Sequence, residues 1–458
     1  MAKELEVLQR ADFDWVVRLD DVWSDTVIDV PELQADVRRA FSQKLDQLLA
    51  SNNVRCPLGA VMIGTGGTGK THLLNVFRRT AAARNSAFVL VDMTDVRDFW
   101  ETVLQGFLDS LQMPYRDGEY QYRCLLHGFL ERLPRRQSSS HIMNVLAQRK
   151  SSQLNSDIQR LLQAIGAQHK QETLRYQDVV RAIACLNSDD FGISNLGMTW
   201  LQGQEIDPAD QQLYGFRQTK QSAQFVVEAL SWLMSLAGPT ILAFDQLDPL
   251  VQQLKFGHQA EENSSPEQAR SLAILLEVAG GLMNVIDAAR RTQVVLSCIH
   301  STWGVLAGLV MSSAADRFEP PWKLGKGSKA ESLQAMVAAR LAAACQQQQY
   351  SPPYPTWPFR PEAFAQLEND TPREVLKKCH HYKLTLLAQG AVTEVSSFAH
   401  IADQLVPSRK DEFPELTAQF QQLRREADPQ FLLDERLEDD GIAPLLSNGL
   451  RCYFQENP

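Results

Sequence analysis

No run of about 18 apolar residues occurs in this chain, so the sequence offers no α-helical membrane span. The opening residues, Met1-Ala2-Lys3-Glu4-Leu5-Glu6, are too densely charged for the apolar region of a secretory signal, and the expected location is cytoplasmic. Cysteine is sparse and scattered. Its seven positions (Cys56, Cys124, Cys185, Cys298, Cys345, Cys379 and Cys452) form no C-x-x-C pair and an odd total, which argues against a disulfide framework or a zinc site. Small core residues are the expected role. An excess of positive charge is also missing: 45 Lys and Arg against 55 Asp and Glu leave a formal charge of −10, so bulk electrostatics do not coat nucleic acid. The short basic clusters at Arg132 with Arg135-Arg136, at Arg290-Arg291, and at Lys377-Lys378 through Lys383 read as solvated helix faces. Internal repeats, a recognition helix and a zinc finger are likewise not found.

What the chain does have is length for two or three domains, with 458 residues and 44% hydrophobic content. It also has one compact motif. Gly64-Thr65-Gly66-Gly67-Thr68-Gly69-Lys70-Thr71 is a complete G-x-x-x-x-G-K-[ST] phosphate-binding loop. The apolar run Ala60-Val61-Met62-Ile63 precedes it and the helical pattern Leu73-Leu74-Val76-Phe77 follows. A buried strand delivers the chain to a turn where side chains would obstruct close approach. Glycines there let backbone N–H groups face phosphates, and the next helix offers its N-terminus. In that geometry Lys70 reaches the β- and γ-phosphates, Thr71 holds Mg²⁺, and His72 follows in the first helical turn.

Around this loop the chain alternates strands and helices. A lead-in of residues 1–30, with Trp15 and Trp23, is expected to pack on the main domain, and a helix is expected from about Pro31 on the spacing of Val37, Ala40, Phe41, Leu45 and Leu48-Leu49. Further buried strands are Ala87 to Asp92, Thr240 to Asp245 and Thr292 to Ile299, with a short fifth near Pro321 to Leu324. The pattern predicts an α/β fold, a five-stranded parallel sheet wrapped by helices, with ligand outside the carboxyl ends of the strands.

Residues 31–325 form this core, and about 98–235 is a helical insertion within it, where Trp200 reads as a core anchor and Gly203 as a helix stop. Residues 326–392 read as a small helical domain. Residues 393–458 form a more charged extension with an amphipathic helix near Leu416 to Leu423 and an apolar patch at Leu445-Leu446 and Leu450. The abrupt end at Pro458 suggests a further domain beyond it.

A phosphate loop needs a second acid for Mg²⁺ at the end of a neighbouring strand, and Asp245 fits. The adjacent position, where a catalytic acid is usual, holds Gln246. Its amide orients water but accepts no proton. Hydrolysis is therefore expected to be slow or to use Asp248, which reads equally as a helix N-cap before Pro249.

This order of features resembles the AAA+ ATPases, nearest to the origin-recognition and replication-initiator branch, over about residues 30–390. The resemblance implies an AAA+ core with a helical lid that binds ATP with Mg²⁺. It places a polar residue at the end of the fourth strand near the γ-phosphate or attacking water, for which Ser297, His300 and Ser301 compete, a capping Ser or packed His being the other reading. It puts Arg317, in Ser313 to Phe318, at the nucleotide of a neighbouring subunit, the alternative being an ion pair with Asp316 or Glu319. It makes Arg373, in Thr371-Pro372-Arg373, a lid contact to nucleotide.

The implied partners are ATP or ADP, further copies of the chain in a homo-oligomer, and DNA or a DNA-bound protein, with no membrane. Gln246, the insertion and the Asp245 to Asp248 spacing also look like the STAND-type signalling ATPases. An initiator-like machine adapted to phage defence and a nucleotide-stabilised scaffold stay open as well.

Overall fold

The computed structural model describes residues 2–398, other than 15, 52–54, 134–137, 149–150, 250, 252–265, 310–316 and 326–328. Five apolar runs pair in one sheet: β1 (Ala60–Ile63), β2 (Ala87–Asp92), β3 (Thr240–Asp245), β4 (Thr292–Cys298) and β5 (Trp322–Lys323), in the order β2-β3-β4-β1-β5. Every pairing is parallel. The expected α/β architecture with five parallel strands is therefore present.

Both faces of the sheet are covered, which is why its strands read as unbroken hydrophobic runs. Val61, Ile63, Val89, Val91, Leu242, Phe244, Val294 and Leu296 enter one core. Their alternating neighbours Ala60, Met62, Phe88, Leu90, Ile241, Ala243 and Val295 enter another, against helices Ala35–Ala50 and Lys70–Ala83. Phe41 and Phe77 stack there with ring centroids 3.9 Å apart. The helix expected from Pro31 starts later, at Ala35. Residues 30–33 form a turn closed by Leu33 N–H donating to Val30 O at 3.1 Å, and Gln34 takes a left-handed φ of 55°. Val30 and Leu33 are drawn aside to wall a cleft, and that tertiary use overrides the helical spacing.

Between β2 and β3 the described residues form eight helices and a hairpin (Pro114–Arg116 with Glu119–Tyr120) that turns at Asp117-Gly118, with φ 52° and 76°. Helices Phe99–Leu111 and Ala223–Ala237 pack on the sheet, and the rest share the same continuous core. Trp200 is fully buried, donates its indole N–H to Gln218 O at 3.0 Å, and precedes Gly203 at φ 71°, as expected of an anchor before a stop. Its loss would cost roughly 3–5 kcal/mol.

After the sheet, helices Ala330–Gln347 and Pro372–Gln389 and the 3₁₀ turn Pro361–Leu367 build a separate core with Leu333, Val337, Phe359, Phe364 and Val375. The lead-in divides between the two cores. Val7, Ala11, Phe13 and Val30 pack on this helical domain, while Val22 and Trp23 pack on the sheet. Lys383 Nζ donates to Gln9 O at 3.0 Å and Ala11 O at 2.6 Å, a cation at the C-terminal end of helix Ala2–Arg10. The features expected at 416–450 lie outside the described residues.

Candidate functional site

Register brings the site together. Phe244 and Val61 both lie level with Leu296, so Asp245 at the end of β3 sits one residue beyond, level with Ser297 on β4 and with Met62 on β1 beyond it. The loop leaves β1 at the same end of the sheet. Gly67 and Gly69 hold φ of 86° and 94°, a conformation that side-chain-bearing residues adopt only with strain. At Gly64 the demand is space, since a Cβ would lie 2.4 Å from Thr68 Oγ1 and 2.9 Å from Leu324 Cβ.

Within the loop, Lys70 Nζ donates to Gly64 O at 2.6 Å and Thr65 O at 3.4 Å, and Thr68 Oγ1 donates to Thr65 O at 2.9 Å. Thr71 Oγ1 donates to Asp245 Oδ2 at 2.8 Å, so the two expected metal contacts already touch. Burial pushes the Asp245 carboxyl above its ordinary pKa, opposed by its hydrogen bonds and by the Lys70 charge. The Ser297 hydroxyl lies buried beside Asp245.

A cleft of about 260 Å³ extends from the loop, with Gly66 to His72, Asp245, Gln246 and Asp248 at its polar end. Ile28, Val30, Leu33, Met336 and Leu376 supply an apolar end. Gln246 adopts a left-handed φ of 63°. Asp248 starts a helical turn, but its Oδ1 accepts the backbone N–H of Ile299 at 2.9 Å and thereby ties the ends of β3 and β4 together.

The apolar wall is pinned by charge. His72 Nε2 lies 3.0 Å from Asp29 Oδ1, and Arg38 donates to both Asp29 oxygens at 2.9 and 2.6 Å. Arg38 also donates to Leu33 O at 2.7 Å and Val30 O at 3.2 Å. Burial would raise the Asp29 carboxyl, but the hydrogen bonds from His72 and Arg38 outweigh it and hold the group well below the usual carboxylate range. His72 therefore anchors this wall as well as lining the cleft.

Across the cleft, Thr371 caps helix Pro372–Gln389 in a reciprocal capping box with Glu374. That fixes Arg373 in the first turn, where a cation opposes the helix dipole. Its backbone N–H donates to Gly67 O at 3.3 Å, and its Nε is buried with no partner. Thr65 Oγ1 is another buried orphan in the loop. A Cβ built at Gly66 would meet nothing within 4 Å. Orphaned donors around open space at a glycine loop fit a phosphate chain. Among the described residues no group of three His, Cys, Asp or Glu could hold a metal, so an ion here would take Thr71 and Asp245 and complete its shell with phosphate and water.

Three expected residues stand apart. His300 and Ser301 open helix His300–Leu309 after β4, and neither lines the cleft. Arg317 O accepts Gly59 N–H at 2.8 Å, at the start of β1, roughly 13 Å of strand from the loop. Its guanidinium pairs with Asp287. Glu319 is paired with Lys44, and Asp316 lies outside the described residues. Sequence reasoning missed Arg38 and Arg340 as cleft residues and Asp29 as the carboxylate that holds Arg38 and His72. Arg340 is held by burial below the usual guanidinium pKa and donates only weakly, to Asp12 O at 3.4 Å. The i, i+4 spacing of Met336 and Arg340 was the one local hint. No protein-family model matches the chain, and no curated protein matches it.

Proposed function

We propose that this chain is an ATP-binding AAA+ switch, initiator-like, that hydrolyses ATP slowly, assembles with further copies when ATP is bound, and acts on DNA or a DNA-bound partner. One observation carries the reading. A glycine loop with Lys70, the bonded pair Thr71 and Asp245, and the unpartnered Arg373 guanidinium converge on one cleft with an apolar end. Backbone N–H groups of the loop and Lys70 bind the phosphate chain, while Ile28, Val30, Leu33, Met336 and Leu376 exclude water from the base. Mg²⁺, when bound through Thr71 and Asp245, offsets charge that builds on the phosphoryl oxygens.

Gln246 orients a water without taking its proton, and Asp248 gives one carboxylate oxygen to the Ile299 N–H, so the position beside Asp245 holds an amide in place of a general base. These two details favour slow turnover and keep a second reading in view, a STAND-type switch that retains its nucleotide. Arg317 lies away from the cleft of its own subunit, which leaves it either a finger for a neighbour or a partner of Asp287.

Sedimentation with no nucleotide, with ADP and with ATP and Mg²⁺, alongside phosphate release in the same samples, separates the readings. Assembly only with ATP and turnover rising with protein concentration support the oligomeric AAA+ reading. A monomer that keeps nucleotide and barely turns over supports the second. No binding of either nucleotide overturns both.

A further inference from the structure

The opposite end of the sheet carries chemistry that the cleft does not use. Arg132 and Arg290-Arg291, separate clusters in the sequence, meet there. Thr240 N–H donates to Arg291 O at 3.1 Å, Ala87 N–H donates to Pro239 O at 2.8 Å, and Arg132 Nη1 donates to Leu236 O at 3.3 Å, which sets Arg132 and Arg291 along the N-terminal edge of β2, β3 and β4. Arg116 joins them from the hairpin, bound to Asn85 Oδ1 before β2. A cavity of about 290 Å³ opens on this edge, with Arg116, His127 and Arg132 among its walls.

The guanidinium groups are underused. The bonds of Arg116, Arg132 and Arg291 go to neutral oxygens, of Asn85, Leu236, Leu48 and Leu49, through one nitrogen each. A guanidinium has five N–H donors. Nε of Arg116 and of Arg291 is buried with no partner. Burial and then the nearby Arg132 charge push Arg291 below its ordinary pKa, so two like charges crowd here in a chain of net charge −10. Of the carboxylates near this edge, Glu131 lies 3.6 Å from His127 Nδ1, Asp46 pairs with Arg84 at 2.9 Å and Glu119 with Arg123 at 3.2 Å, while Asp117 follows Arg116 at the hairpin turn.

Helices Ala35–Ala50, Gln121–Arg132 and Ala223–Ala237 end at this edge, and their negative ends account for part of the clustering. The long bonds of 3.3–3.4 Å to those carbonyls leave donors over for a stronger acceptor. We propose that this edge binds the phosphate backbone of duplex DNA, with Arg116, Arg132 and Arg291 each donating to a phosphate oxygen. The proposal takes its partner from the DNA association proposed above and gives it a surface; it does not require nucleotide in the cleft.

Fluorescence anisotropy with a short labelled duplex, over a range of salt concentrations, tests it. Three phosphate contacts give a log–log salt slope of about −2.7, and Arg116→Gln, Arg132→Gln and Arg291→Gln each reduce it by about 0.9. Arg132, exposed and least involved in packing, is the safest of the three, and Arg132→Lys restores the slope. Lys70→Ala binds the duplex as the unchanged chain does, even when its ATP binding is lost. Gln variants that lower the melting temperature while leaving the salt slope intact would make the arginines helix caps only and overturn the proposal. Loss of DNA binding in Lys70→Ala with none in the arginine variants would overturn it too, assigning DNA to the ATP-dependent assembly. Absence of duplex binding at low salt would do the same.

Discussion

Substituting alanine at two adjacent loop glycines separates the reasons for the glycines. At Gly67 the backbone is left-handed, φ 86°, and a Cβ would lie 2.6 Å from Arg373 Cβ and 3.2 Å from Thr371 Oγ1. The conformation alone costs about 1–2 kcal/mol, and relieving the overlap with Arg373 and Thr371 adds roughly 1–3 kcal/mol. At Gly66 neither penalty exists, because φ is unremarkable for an L-residue and nothing lies within 4 Å of the added atom.

Thermal unfolding of the nucleotide-free protein should therefore show Gly67→Ala melting several degrees lower, and Gly66→Ala melting with the unchanged chain. Adding Mg²⁺-ATP reverses the contrast if the open space at Gly66 is where phosphate sits. Saturating ligand at about 100 times Kd stabilises by about 2.7 kcal/mol, and Gly66→Ala should forfeit most of that gain. Equal melting of the two variants without nucleotide would refute the steric account. A full ATP-induced shift in Gly66→Ala would refute the placement of the phosphates.

Three further outcomes are expected. Asp245→Asn should melt no lower than the unchanged chain without nucleotide at pH 7, because it removes a buried carboxylate whose pKa burial has raised, yet it should lose the Mg²⁺-dependent part of ATP affinity; in the unchanged chain that part should fade as pH drops through the raised pKa, read by titration calorimetry across pH. Asp29→Asn should destabilise by about 1–3 kcal/mol at neutral pH, and because the folded carboxyl titrates below its unfolded value, the difference should shrink as pH falls past the ordinary carboxylate range, as followed by urea unfolding. Arg317→Ala should lower turnover only in samples that assemble, and mixing it with Lys70→Ala should restore part of the phosphate release; no restoration would leave Arg317 as a partner of Asp287 alone.

Features that depend on a few neighbouring residues were legible from the sequence. The loop Gly64 to Thr71 is recognisable because positive φ and close approach admit little but glycine there, and Gly67 and Gly69 take that conformation. The five strands stood out because sheets covered on both faces take unbroken apolar runs. Pro372 announced a helix start, and with it the unusual position of Arg373.

Features that arise between distant segments were not legible. Pro31 looked like a helix start, but residues 29–33 are held by Arg38 and His72 as a cleft wall, and no local spacing encodes that. Arg317 was placed by its order between strands, which says nothing of Asp287 beside it. Arg132 and Arg291 read as unrelated solvated faces, since only the parallel order of β2, β3 and β4 brings their ends to one edge. By itself the sequence determined the glycine loop, the strands and the acid at the end of β3, because each is dictated by backbone sterics or by burial of a continuous run. Only the tertiary structure decided what surrounds them, because hydrogen bonds and ion pairs across 9 to 372 positions of chain are set by how the layers pack.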